Sequence, residues 1–285
     1  MITYQRAFYE LKDKLQSLYD AQEAAAIAHE VLYHITGLDK MQRLMKKDEL
    51  LTAVQQTAFD HMQLQLLTGR PMQYVLQTAW FMGRAFYVDE HVLIPRPETE
   101  ELVQWVVDDT APDTTARMID IGTGSGCIPI SLKLARVQAQ VVACDISAGA
   151  LAVARRNAQA FGAAVSFNQL DFLSEERDQL PAVDVIVSNP PYIPEAYRAG
   201  MDAHVKDHEP SLALFVPDND PLVFYRAIAA FGQKHLNTGG AIYCELHADH
   251  AAETEEMFAA MGYTTELRKD MHGNPRMLKA ISVMG

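Results

Sequence analysis

The sequence is poor in cysteine: 285 residues contain only Cys127, Cys144 and Cys244. All three lie in apolar surroundings and lack metal-ligand spacing. They read as reduced core thiols, which excludes a disulfide framework and points to a cytoplasmic protein. No apolar run approaches the roughly 18 residues that span a membrane, so no membrane partner is expected. Met1-Ile2-Thr3-Tyr4-Gln5-Arg6 lead into a helical pattern and not a signal peptide. Positive charge is also scarce. The net charge of −13 disfavours broad electrostatic binding to nucleic acid. Internal repeats and low-complexity segments are missing as well. What remains is an ordinary globular composition, long enough for one large domain or two smaller ones.

The first seventy or so residues carry three apolar stripes at helical spacing. The first is Tyr4, Phe8, Leu11, Leu15 and Leu18. The second, Ala24, Ile27, Ala28, Val31, Leu32 and Ile35, is closed by Gly37. The third is Leu51, Val54, Ala58, Phe59, Met62 and Leu66, ending at Gly69-Arg70-Pro71. Together they predict a small helical bundle without a catalytic constellation. A connector follows. Trp80-Phe81-Met82 and Phe86-Tyr87-Val88 flank Gly83-Arg84, the pattern of a hairpin. Then Val92-Leu93-Ile94 runs into Pro95-Arg96-Pro97-Glu98-Thr99-Glu100. Pro97 can open a helix, and Glu98 and Glu100 suit its positive end. Arg96, held between two prolines, is rigidly displayed and suited to meeting a ligand.

From Arg117 the pattern becomes α/β. Candidate strands are 117–121, 140–144, 164–168, 183–187, 241–246, 263–268 and 277–283, and helical stripes separate the first six. Residues 269–276 are too few for a parallel crossover, so the seventh strand should run antiparallel to the sixth. The fold class expected is α/β: a seven-stranded, Rossmann-like sheet of the class I methyltransferase plan, with its last strand antiparallel and a helical bundle before it. The dinucleotide fold has six parallel strands.

Three strand ends carry ligand-type chemistry. Asp120-Ile121-Gly122-Thr123-Gly124-Ser125-Gly126 leaves the first strand. Cys127 holds the place where a dinucleotide loop prefers glycine or alanine, so Gly122, Thr123, Gly124, Ser125 and Gly126 look more like a loop for S-adenosylmethionine. Asp145 ends the second strand and can accept from two ribose hydroxyls. Asp171 and Phe172 follow the third, an acid for an adenine amine and a ring for its face. The fourth strand ends in Ser188-Asn189-Pro190-Pro191-Tyr192. Proline has no N–H, so this loop shows carbonyl oxygens with few donors to satisfy them. With the Asn189 side-chain oxygen, it forms a rim of acceptors suited to a planar NH2 group. Tyr192 can lie flat against such a group.

With these residues in place, the chain resembles the glutamine N5-methyltransferases of peptide chain release factors (the PrmC/HemK family). The resemblance runs from about Gly69 onward. It rests on Gly69-Arg70-Pro71-Met72-Gln73-Tyr74, the segment 92–100, the glycine loop, Asn189-Pro190-Pro191-Tyr192-Ile193, Glu209-Pro210-Ser211-Leu212-Ala213-Leu214, and Lys269-Asp270 with Arg276. The helical bundle resembles the family only in kind. Two stretches depart from its pattern: 215–220, where a glycine-rich turn is usual, and Cys244-Glu245-Leu246-His247, where a small pair usually follows the glutamate.

The resemblance implies S-adenosylmethionine as cofactor and the glutamine of a Gly-Gly-Gln loop in a release factor as substrate. It implies Asn189, Pro190 and Tyr192 as catalytic residues. Pro191, Arg96 and Glu98 join them on the substrate side, and Asn189 borders the cofactor. A monomer is expected, with residues 1–75 as a substrate-recognition domain, 76–98 as a connector and 99–285 as the catalytic domain. Three other functions fit parts of the pattern. A ribosomal protein's glutamine could be the acceptor. An adenine or cytosine amino group could be, although the region after the motif, with Glu195, Asp202, Asp207 and Glu209, is not basic. A non-catalytic cofactor-binding module is the third, and it would have no need of an acceptor rim.

Overall fold

The computed structural model describes residues 1–282 and forms two compact units. One contains residues 1–78 and 202–208; the other contains 79–201 and the chain from 209 onward.

In the first unit, helices α1 (Tyr4–Leu15), α2 (Ala21–Thr36), α3 (Lys40–Met45), α4 (Ala53–Leu66) and α5 (Met72–Leu76) follow one another. Their starts are set by local chemistry. The side chains of Thr3, Asp20, Asp39 and Thr52 each accept from a backbone N–H of the first turn. Asp39 with Gln42, and Thr52 with Gln55, complete capping boxes. Gly37 ends α2 at φ +68°, a conformation that favours glycine. Leu11, Leu15, Val31, Phe59 and Leu66 form the core. Three members of the expected stripes fall outside it. Leu18 lies past the end of α1, Val54, in the first turn of α4, is 81% exposed, and Ala58 is only half-buried. The helices α3 and α5 were missed because each is shorter than two turns and shows no period.

The second unit begins with a hairpin, β1 (Ala79–Phe81) and β2 (Arg84–Phe86). Its register pairs Phe81 with Arg84. The turn is therefore Met82-Gly83, one residue earlier than the sequence suggested. Both residues have positive φ, +49° and +70°, as the tight two-residue turn between twisted strands requires. Then come α6 (Pro97–Asp109), β3 (Arg117–Ile121), α7 (Cys127–Ala135), β4 (Gln140–Asp145), α8 (Ala148–Phe161), β5 (Val165–Gln169) and β6 (Val183–Ser188). Short elements β7 (Ile193–Pro194), α9 (Ala203–Lys206), α10 (Ser211–Leu214) and β8 (Phe215–Val216) lead to α11 (Val223–His235), β9 (Leu236–Glu245), α12 (Ala251–Ala260), β10 (Tyr263–Lys269) and β11 (Pro275–Ser282). Within this run α9 belongs to the helical unit. There the His204 Nδ1–H donates to the Gly69 carbonyl at 2.6 Å, and the ring stacks on Tyr19 at 4.7 Å.

The seven-stranded sheet has the order β10-β11-β9-β6-β3-β4-β5. β11 runs antiparallel to both β10 and β9, as its short connection demanded. Val283, expected as the end of this strand, lies outside the described residues. One crossover differs from expectation. Between β5 and β6 the chain makes only a 3-10 helix, Glu175–Gln179; Pro181 follows closely, leaving little room for an α-helical stripe.

The central strands are buried on both faces, so period-2 alternation sorts their side chains between two cores. Ile119, Ile186, Ile242 and Cys244 join the core containing α11 and α12 residues such as Phe231 and Phe258. Met118, Val185, Val187, Ala241 and Tyr243 join the core containing Leu102 and Trp105 of α6 and Ile130 of α7. The order reverses at β3. The chain goes outward to β4 and β5, then returns to the other side of β3 as β6. A crevice at the carboxyl ends of β3 and β6 follows from that reversal, and open α/β sheets bind ligands at such a point.

Candidate active site

A cavity of about 290 Å³ opens at this switch point. Its wall contains Gly122, Gly124, Asp145, Asp171, Phe172, Asn189, Pro190 and Pro191, brought together from four strand ends. Thr123, Ser125, Gly126, Tyr192, Arg96 and Glu98 do not line it. The wall also includes Leu93 and Leu212, from two of the family segments, and His91 and Phe224, which no motif had singled out.

The glycine loop turns tightly because the N–H groups of Gly122 and Thr123 both donate to the Cys144 carbonyl, at 3.0 Å each. Gly126 caps α7 at φ +79°; a Cβ there would meet Ile130 at 3.0 Å and Ala154 at 3.1 Å. That glycine therefore lets α7 and α8 approach closely, while Gly122 and Gly124 face open space.

Asp145 is held by the backbone. One carboxylate oxygen accepts from the Gly124 N–H and the other from the Ser147 N–H, each at 2.9 Å. Burial pushes its carboxyl above the ordinary range, and these N–H groups oppose the rise. Each oxygen keeps a further lone pair for a ligand. Asp171 accepts from the Leu173 N–H, and Phe172 is buried edge-on against Phe231 at 5.4 Å. Asp120, under the loop, is 1% exposed, and neither carboxylate oxygen has a hydrogen-bond partner among the described residues. Burial pushes this carboxyl up to about 7.

Beyond β6 the acceptor loop is tied from behind. The Ser188 hydroxyl donates to the Ile121 carbonyl at 2.7 Å, fixing the end of β6 to the end of β3. The Asn189 Nδ2 donates to the Thr99 hydroxyl at 3.1 Å. Thr99 donates in turn to Glu245 at 2.6 Å, and the Tyr192 hydroxyl reaches the other Glu245 oxygen at 3.3 Å. Tyr192 is thus anchored by its hydroxyl, with its ring edge-on to His247 at 5.8 Å. Arg96 meets Glu209 at 2.6 Å. The other Glu209 oxygen takes the Ile94 N–H, so Glu209 binds the proline-arginine-proline segment from within. Glu98 sits, partly exposed, in the first turn of α6. Thr99 and Glu245 were the supporting residues missed in the sequence. The signal for Glu245 was present: a glutamate ending an apolar strand has to find partners.

Two protein families match along the chain: the PrmC N-terminal domain over residues 10–76 and the methyltransferase small domain over residues 99–204. A release factor glutamine methyltransferase from Bacteroides thetaiotaomicron is 41% identical over 271 residues, covering 95% of this chain and 97% of that protein. This chain belongs to the release factor glutamine methyltransferase family. A second relative of that name, from Enterococcus faecalis, is 38% identical over 95% of this chain and 98% of its own. The family's extent corrects the sequence reading in one respect. The helical region resembles the family in sequence and not only in kind, since the match begins at residue 10. Low identity leaves the fold recognisable: the solved structure of a methyltransferase from Pyrococcus furiosus superposes with a TM-score of 0.50 at 17% identity, covering 79% of this chain and 100% of that one.

Proposed function

We propose that this member of the family transfers a methyl group from S-adenosylmethionine to the side-chain amide nitrogen (N5) of a glutamine. The acceptor would be the glutamine of a Gly-Gly-Gln loop in peptide chain release factors, and the modification would support translation termination. The observation that carries the proposal is the acceptor rim, Asn189-Pro190-Pro191, on the wall of the same cavity as Gly122, Gly124 and Asp145. The cavity suits the cofactor. Asp145 offers fixed acceptors for ribose hydroxyls, Phe172 an apolar ring for the base, and the two glycines room for close approach. When bound, S-adenosylmethionine supplies an electrophilic methyl group on a cationic sulfur.

The residues of the chain address the other half of the reaction. An amide nitrogen is a poor nucleophile because its lone pair is delocalised into the carbonyl. Asn189 Oδ1 and the Pro190 carbonyl can accept its two hydrogens and turn its π face toward the methyl. Both hydrogen bonds would strengthen as the amide nitrogen gains positive charge on methyl transfer. The surplus proton would then pass to water, so no strong base is required before attack. Residues 1–78 carry no part of this machinery, and we assign them to holding the protein substrate.

The direct test is incubation with labelled S-adenosylmethionine and purified release factor, a ribosomal protein or DNA, followed by peptide mass spectrometry. Label is expected on the loop glutamine of the release factor. Label on DNA, or on another side chain, rejects the reading. Hydrogen exchange on the enzyme–release factor complex should show protection within residues 1–78; none there would reject their recognition role. The ribose assignment has its own check. Removing a charged acceptor that makes such contacts costs about 1.5–3 kcal/mol, roughly 10- to 150-fold in affinity. Calorimetry on Asp145→Ala should show weakening of that size for S-adenosylmethionine. Unchanged affinity in the folded variant would remove Asp145 from the site.

A further inference from the structure

Asn189 can serve the target amide only with its oxygen toward the substrate. Turned by 180°, the side chain would present an NH2 group to another NH2 group, and the rim would repel what it has to hold. Nothing in the Asn-Pro-Pro sequence decides between the two orientations. We propose that Thr99 and Glu245 decide it, as positioning residues that fix the polarity of the Asn189 side chain.

The argument follows the protons. Glu245 is 2% exposed and lies at the end of β9. The Thr99 Oγ1–Glu245 Oε2 distance of 2.6 Å is that of a hydroxyl donating to a charged carboxylate. The second oxygen takes the Tyr192 hydroxyl. A carboxylate only accepts, so the single Thr99 proton is committed to it. Toward Asn189, Thr99 can then only accept. The group that faces it at 3.1 Å must be Nδ2, as observed. Oδ1 is left without a donor among the described residues, and Asn189 itself lies on the cavity wall. Burial pushes the Glu245 carboxyl up to about 7, with the Thr99 hydroxyl, Arg276 on β11 and the Tyr192 hydroxyl opposing the rise; above that pH it is a carboxylate and the direction of the bonds is set, so the assays below are run at about pH 8. The chain of bonds runs from β9 through the first turn of α6 to the acceptor loop. Thr99 and Glu245 are each 2% exposed, so both ends of the Thr99–Glu245 bond are held away from solvent.

This device rests on the glutamine reading above, and the test separates the two. Thr99→Val keeps shape and removes the hydroxyl. Single-turnover methyl transfer to the release factor should fall about 10- to 100-fold, in line with a misoriented preorganised contact. Cofactor affinity by calorimetry should stay within about threefold. Thr99→Ser, which restores the hydroxyl, should recover most of the rate. A purely structural role would not predict a further change, in substrate discrimination. A release factor with glutamate in place of the loop glutamine presents only acceptors. The wild type, with Oδ1 facing it, should bind that variant poorly as an inhibitor. Thr99→Val, whose Asn189 is free to turn its NH2 outward, should bind it relatively better and lose about tenfold of its preference for glutamine. Wild-type turnover in Thr99→Val, or a loss that Thr99→Ser does not recover, overturns the positioning role alone. A wild-type enzyme that puts no methyl on glutamine overturns both readings.

Discussion

Asn189→Ala is expected to lower methyl transfer about 10²- to 10³-fold, the usual cost of deleting one preorganised contact to a developing charge. The substitution removes the Asn189 side-chain oxygen from the rim and leaves backbone carbonyls, such as that of Pro190, to accept from the amide. The target amide then loses the second point that fixes its plane. Because the Ser188 hydroxyl still ties β6 to β3, the loop should keep its place, and the loss should fall on turnover more than on cofactor affinity. Some weakening of cofactor binding is expected too, since Asn189 borders the same cavity. Single-turnover kinetics with saturating cofactor reads the effect. Turnover equal to wild type in a folded Asn189→Ala would mean the rim does not orient the substrate.

The second large effect concerns stability and pH. Burial holds the Asp120 carboxyl up at about 7, against about 3.9 for an unfolded aspartate. The folded state therefore keeps a proton that the unfolded state has released. Unfolding free energy must fall as pH rises through the window between those two values, and level off above it. For a shift of that size the fall is on the order of 2–4 kcal/mol. Glu245, raised to about 7, adds in the same direction. Asp120→Asn cannot ionise. Its unfolding free energy should therefore change less between about pH 5 and pH 8 than that of the wild type, whatever its absolute level. Urea titrations of the cofactor-free protein at the two pH values make the comparison. Equal pH dependence in both proteins would show that Asp120 is ionised in the folded state.

Much of the fold was legible because the sheet is simple. Central strands buried on both faces read as short apolar runs, and residues 117–121 and 183–187 fell almost where the structure has them. The short connection 269–276 forced the antiparallel end. The ligand-type residues were legible for a related reason: Asp145, Asp171 and Asn189 are polar groups at the ends of apolar strands. What escaped was tertiary. Thr99 looks like one more polar residue in a helix start, and only a glutamate 146 residues later gives its hydroxyl a direction. Arg96, read as rigidly displayed toward a ligand, pairs with Glu209, 113 residues away. The Met82-Gly83 turn was misplaced by one residue because a positive φ at methionine has no signature in the sequence.

The position of β11 has a consequence for how the protein is made. It is later in the chain than β10, yet it lies between β10 and β9. Until residues 275–282 are synthesised, β9 has a bare edge of N–H and C=O groups and β10 has no sheet to join. A nascent chain paused before Pro275 would carry an open template for pairing with another chain. A chain ending at Lys269 would do the same, because it lacks an inner strand of the sheet and not its border.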